Sequence, residues 1–159
     1  MVTSRIAATG AGIPDQIITN DDLAKIMDTS DEWIRQRTGI GERHISGGED
    51  LSYYTSKAAK QIIERAGIAP ADIELIVVAT VTADYCTPSA ACMVQKEIGA
   101  VNAVAFDVTA ACSGFLYGVS VADKFIRCGI YKNALVIGGE ILSKIVDWKD
   151  RSTCVLFGD

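Results

Sequence analysis

The residues best suited to chemistry are a cysteine set among small neighbours, Cys112 in Thr109-Ala110-Ala111-Cys112-Ser113-Gly114, and an aromatic–cation group, Trp33, Arg37 and Arg151. Cys112 falls where the short apolar run Val104 to Val108 gives way to apolar positions stepping by four, three and four, at Phe115, Val119, Ala122 and Ile126. A strand therefore passes into a helix at the cysteine. The free N–H groups and positive dipole end of that helix favour a thiolate, which is a nucleophile, and the Cys112 N–H offers one half of an oxyanion hole. Free cysteine is also among the most buried residue types, so a structural cysteine fits the same position. Trp33 and Arg37 lie four apart on one helical face. A planar ring with guanidinium groups suits an adenine and phosphates, and a half-buried tryptophan beside solvated arginines fits the same spacing. His44 is the only histidine, and nothing in the sequence brings it to Cys112.

Composition narrows the classes. Of the 159 residues, 49% are hydrophobic and 22% charged, which describes a globular chain with a sizeable core. The net charge of −5 argues against a nucleic-acid binder, although local Arg and Lys can hold a small phosphorylated ligand. The cysteines at 86, 92, 112, 128 and 154 form no C-x-x-C pair and are odd in number. That argues against a metal site and a disulfide framework and favours a reducing, cytosolic setting. The N-terminus has no signal-peptide pattern, and no apolar run is long enough to span a membrane.

Elements must hold these residues in place. A first strand is predicted over Arg5 to Gly12, and a short helix is predicted to start at the Asn20 cap with Asp21 and Asp22 in its first turn. Thr29 and Glu32 have capping-box spacing ahead of a helix carrying Trp33 and Arg37, which Gly39 ends. Ile40 to Gly48 reads as irregular or short β. The clearest amphipathic helix runs from Asp50 to Ala66, with Leu51, Tyr54, Ala58, Ile62 and Ala66 on one face. Ile73 to Val81 is apolar enough for a central strand covered on both faces. Thr87-Pro88 reads as a cap and first helical residue of a helix ending at Gly99. Ala134 to Gly139 and Thr153 to Phe157 are predicted as further strands. Strands alternating with helices give an α/β protein with a mixed, mostly parallel sheet covered by helices.

Several stretches carry a family resemblance. Asp-Thr-Ser-Asp-Glu-Trp-Ile-Arg-Gln-Arg-Thr-Gly-Ile at 28–40 resembles the signature near the start of β-ketoacyl-acyl-carrier-protein synthase III. Pro88 to Ala91, Phe106 to Val108 with Ala110 to Phe115, and Asp150 to Ser152 with Leu156 to Asp159 match the same family in order. The resemblance covers essentially the whole chain. The 28–40 run favours this branch over thiolases and chalcone synthases, which share the fold and a nucleophilic cysteine.

The resemblance implies the N-terminal half of a thiolase-like fold, with Cys112 as the acyl-accepting nucleophile of a decarboxylative Claisen condensation between an acyl-CoA and malonyl-acyl-carrier-protein. It further implies that Thr29, Trp33, Arg37 and Arg151 bind CoA, with Trp33 and Arg151 flanking the adenine. Thr87 matches an acyl-pocket and dimer-interface position. It is smaller than the phenylalanine of some relatives, so a roomier acyl pocket is expected. The implied partners are acyl-CoA, the carrier protein and a second copy of the chain, with no metal and no cofactor beyond the CoA substrate. The family's catalytic His, Asn and second oxyanion glycine are expected in a C-terminal half outside these residues, and family members are expected to run to about twice this length. The alternative is a non-catalytic acyl-CoA-binding or assembly fragment that keeps only the Trp33, Arg37 and Arg151 group.

Overall fold

The apolar run from Ile73 to Val81 forms the middle of a parallel sheet in the computed structural model, which describes residues 3–159. The elements in chain order are β1 (Gln16–Thr19), α1 (Asn20–Ala24), α2 (Asp31–Thr38), β2 (Glu42–Ile45), α3 (Leu51–Ala66), β3 (Leu75–Ala79), α4 (Ala90–Ile98), β4 (Val104–Val108), α5 (Gly114–Arg127) and β5 (Leu135–Gly138). Single 3₁₀ turns occupy Pro70–Asp72, Ala111–Ser113 and Leu142–Lys144. Among the described residues no helix is long and apolar enough to cross a membrane.

The chain divides into two units. The first holds residues 3–12 and 50–140 and the parallel sheet, in the order β4-β3-β5. Register pairs Leu75 with Val104 and Ile76 with both Ala105 and Leu135. All five residues of β3 are buried, as expected of a strand covered on both faces. Alternation sends Leu75 and Val77 to one face, where they pack with Ala122 of α5 and with Phe106, Val108 and Val136. α4 packs against β3 and β4, and α3 against α4 and β5.

Three expectations change in this unit. The predicted Arg5 to Gly12 strand is absent. A strand needs a ladder partner, and here the segment is held by side chains instead: Gln61 Oε1 accepts from the Ala11 N–H at 3.3 Å, and Arg65 Nη1 donates to the Thr9 carbonyl at 2.6 Å. The α4 cap is Ser89, whose hydroxyl accepts from the Cys92 N–H, and Thr87-Pro88 lies in the loop before it. The buried face of α5 is Gly114, Gly118 and Ala122, while Phe115 and Val119 of the predicted face are exposed. A Cβ on Gly118 would meet Val136 Cγ1 at 3.1 Å and Val77 Cγ1 at 3.3 Å, so the helix lies on the sheet through its smallest residues.

The second unit holds Ile13–Glu49 and Ile141–Asp159. β1 and β2 pair antiparallel, with Gln16 opposite Ile45, and this pair is a sheet of its own. A two-stranded sheet is marginal alone. Here a core of Leu23, Ile34, Cys154 and Val155, ringed by Ile18, Met27, Trp33, Ile40 and Trp148, stabilises the unit. The cap of α1 is Thr19 rather than Asn20, closing a capping box with Asp22. The cap of α2 is Ser30 rather than Thr29. Gly39 ends α2 at φ 75°, a left-handed position that glycine takes without a Cβ clash. The predicted Thr153 to Phe157 strand is a series of turns. The Asp150 carboxylate accepts from the Ser152 N–H and the Ser152 and Thr153 hydroxyls, offering the backbone a helical turn in place of a ladder.

Candidate functional site

In the first unit, β4 ends at Val108 and the chain turns through Ala111–Ser113 into α5. Cys112 sits exposed in that turn, at the carboxyl end of a parallel strand and the N-terminus of a 14-residue helix. Ligands and reactive groups of open α/β sheets collect at such ends. The Ser113 N–H is used by the Ala110 carbonyl and that of Gly114 by Ala111. The Cys112 N–H donates to no group among the described residues, so it is free for an oxyanion. A Cβ on Gly114 would come within 3.1 Å of Ala79 Cβ, so its smallness lets the helix start against the end of β3.

The turn is strained at one residue. Ala111 has φ 45° and is the only non-glycine with a positive φ among the described residues. Such a position costs an L-residue about 1–2 kcal/mol and is held only when its surroundings fix it. Ala111→Gly is therefore expected to leave stability equal or slightly higher. Ala111→Val, with a branched Cβ, should lower it by about 1–3 kcal/mol. Urea unfolding of the two variants checks the pair, and equal midpoints would contradict the strain.

Two carboxylates to which the sequence alone assigns no role, Asp107 and Glu140, brace the same end of the sheet. Asp107 of β4 accepts from the Ala90 and Ala91 N–H groups, both at 2.8 Å, and so anchors the start of α4 to the strand that leads to Cys112. Glu140 accepts from the Val81 N–H at 2.9 Å and from the Thr80 and Thr82 hydroxyls at 3.1 and 2.6 Å, joining the segments that follow β3 and β5. An acid inside an apolar strand, as at Asp107, was the available signal. Thr87 is exposed in the loop before α4.

In the second unit the structure brings Trp33, Arg37 and Arg151 together. Arg37 Cζ lies 4.3 Å and Arg151 Cζ 4.7 Å from the Trp33 ring centroid. The helical spacing accounts for Arg37, whose Nη1 also donates to the Trp33 carbonyl at 3.2 Å. Arg151 arrives from the turn after Asp150, and its Nη1 donates to the Asp28 carbonyl at 2.7 Å. The Trp33 ring is half-buried at the edge of the core, with two guanidinium groups beside it. Flat apolar surface plus two cations is the donor set for an adenine with phosphates. Thr29 just precedes the helix, with its hydroxyl buried and without a partner. His44 lies on β2 with Nδ1 donating to the Pro14 carbonyl at 2.6 Å, a structural role.

The remaining cysteines divide by environment. Cys154 is fully buried, and burial pushes its thiol pKa up. Cys128 is exposed, yet it occupies the C-terminal end of α5, where the dipole disfavours negative charge. All five are free thiols.

The chain is similar to known proteins. Residues 106–159 match the family 3-Oxoacyl-[acyl-carrier-protein (ACP)] synthase III. A β-ketoacyl-[acyl-carrier-protein] synthase III of Clostridium tetani is 56% identical over 155 residues, covering 98% of this chain and 46% of the relative. The 3-oxoacyl-[acyl-carrier-protein] synthase III of Aquifex aeolicus superposes with a TM-score of 0.96 at 52% identity, over 98% of this chain and 50% of that one. The priming β-ketosynthase of the R1128 polyketide pathway does so with 0.96 at 35% identity, over 99% of this chain and 48% of that one. The chain spans about half the length of the curated relatives it matches.

Proposed function

We propose that this chain, similar over its whole length to the N-terminal half of β-ketoacyl-[acyl-carrier-protein] synthase III, is the acyl-accepting portion of such a synthase. The relatives' names give synthesis of a β-ketoacyl-[acyl-carrier-protein], and the reading for this chain is the acyl transfer that starts fatty acid synthesis. The observation that carries the reading for this chain is the setting of Cys112: exposed, at the N-terminus of α5, with a free backbone N–H and a strained residue before it.

In this reading the Cys112 thiolate attacks the thioester carbonyl of an acyl-CoA. The Cys112 N–H holds the developing oxyanion, and CoA leaves as its thiolate. The acyl group is then bound to sulfur. Malonyl-acyl-carrier-protein loses CO2, and its carbanion attacks the new thioester and returns the Cys112 thiolate. The His, Asn and second oxyanion donor for that second step are expected in the C-terminal half of the family. Trp33, Arg37, Arg151 and Thr29 hold the nucleotide end of CoA, and Thr87 lines the acyl pocket. A homodimer is supported by the apolar residues that α5 leaves exposed, Phe115, Leu116 and Tyr117. Such side chains need cover, and an acyl-enzyme needs water excluded.

The test is to incubate the chain with acetyl-CoA and measure intact mass, then map the peptide. A thioester on Cys112 is expected, and condensation with malonyl-acyl-carrier-protein only when the C-terminal polypeptide is added. No adduct on Cys112 under both conditions would overturn the reading in favour of a CoA-binding fragment. Condensation by the chain alone would overturn the division of labour.

A further inference from the structure

We infer that Arg43 is a positioning residue for the Trp33–Arg37–Arg151 cluster, fixing the helix that carries the first two against the turn that carries the third. The inference rests on the reading of that cluster as the holder of a CoA nucleotide. Arg43 is 5% exposed, and among the described residues no carboxylate pairs with it. Its guanidinium instead donates to three neutral oxygens on three segments. Nη1 reaches the Ile18 carbonyl near the end of β1 at 3.1 Å. Nη2 reaches Asn20 Oδ1 at the start of α1 at 2.9 Å and the Val155 carbonyl at 3.1 Å. Nε is buried with no partner.

Asn20, fully buried, carries the connection onward. Its Nδ2 donates to Asp31 Oδ1 and to the Ile40 carbonyl, each at 2.8 Å. With Oδ1 taken by Arg43 and Nδ2 by two acceptors, one orientation of the amide satisfies every contact. Asp31 is the first residue of α2, two before Trp33, and Ile40 lies two residues past its end. The path Val155–Arg43–Asn20 therefore grips both ends of α2 and the turn that contains Arg151. Arg151 closes the same joint from outside by its bond to the Asp28 carbonyl.

The chemistry of the contacts points to geometry rather than stability. A desolvated cation without an anion is costly, and well-packed apolar residues commonly replace buried charges at little or no loss. Arginine stays protonated even where burial lowers its pKa, as it does here. Its planar fork serves three acceptors in fixed directions, which a lysine or an apolar side chain does not do.

The test uses the full chain and adenosine 3′,5′-bisphosphate, the nucleotide end of CoA, titrated by calorimetry into wild type, Arg43→Met and Arg43→Lys. Thermal midpoint and the rate of Cys112 alkylation by iodoacetamide are read on the same samples. The expected result is a Kd weakened about tenfold in Arg43→Met and by a smaller factor in Arg43→Lys, with the alkylation rate unmoved. A folded Arg43→Met, or Arg43→Lys should the first not fold, that binds like wild type overturns the inference. So does a loss of affinity that comes with an equal change in alkylation, because that marks a general structural role. A wild-type chain that does not bind the bisphosphate overturns the nucleotide reading itself, a failure distinct from unchanged variants of a wild type that binds.

Discussion

Cys112→Ala is expected to fold as wild type and to take no acyl group from acyl-CoA, while Cys128→Ala is acylated normally. Both cysteines are exposed, so neither substitution opens a cavity, and each should cost within about 0.5 kcal/mol. They lie at opposite ends of one helix, which makes α5 its own control. At the N-terminus the dipole and the free Cys112 N–H favour the charge that forms on sulfur and then on the carbonyl oxygen; at the C-terminal end the same dipole opposes it. Cys92 is half-buried, with its sulfur 3.8 Å from the Ala105 carbonyl, and Cys154 is buried with a raised pKa. Each is a poorer nucleophile. Where the C-terminal polypeptide is supplied, turnover of Cys112→Ala should fall by at least roughly three orders of magnitude, the scale seen when a covalent nucleophile is removed. Intact mass and peptide mapping decide it: thioester retained in Cys112→Ala, or lost in Cys128→Ala, sinks the assignment.

The reach of sequence reasoning follows from which interactions are local. β3 is legible because burial on both faces leaves no polar position in Leu75–Ala79. Gly39 and the Trp33–Arg37 spacing are legible because a helix end and one helical turn are local geometry. The segment 5–12 has strand-like composition, but a strand is completed by a partner, and its bonds go to Gln61 and Arg65, 50 and 56 residues from the atoms they hold. The 153–157 run has the same composition and loses to a local competitor, the Asp150 carboxylate. On α5 the large residues set the apparent period, whereas close approach to the sheet selects Gly114, Gly118 and Ala122. Cys112 could be placed at the strand-to-helix junction, yet the positive φ of Ala111 leaves no trace in a residue as ordinary as alanine. Arg151 suits the Trp33 group by residue type, although no local spacing in the sequence brings it to the ring. The buried Arg43 and Asn20 that hold them act through bonds to distant segments, Arg43 to Val155 and Asn20 to Asp31 and Ile40, which no local pattern shows.

Trp33→Ala is expected to weaken binding of adenosine 3′,5′-bisphosphate by about 1–3 kcal/mol, the range for losing one base-on-aromatic stack, or roughly ten- to a hundredfold. Arg151→Ala is expected to weaken it less. The reason lies in the ligand-free geometry. Arg151 Cζ sits 4.7 Å from the Trp33 centroid, while an adenine between ring and guanidinium needs two van der Waals layers, about 7 Å. Arg151 must therefore swing outward on binding, losing its 4.7 Å cation–π contact and straining its bond to the Asp28 carbonyl. Deleting it removes one stacking partner and the phosphate-seeking charge, and it also removes the work of opening. Deleting Trp33 removes a stacking surface with no such offset. Because the Trp33 ring also borders the core of Leu23, Ile34, Cys154 and Val155, Trp33→Phe is the companion variant: it keeps much of the packing and should retain part of the affinity. Calorimetry on the three variants gives the order wild type, Trp33→Phe, Trp33→Ala. An Arg151→Ala loss equal to or larger than that of Trp33→Ala would mean that the guanidinium, not the indole, carries the nucleotide.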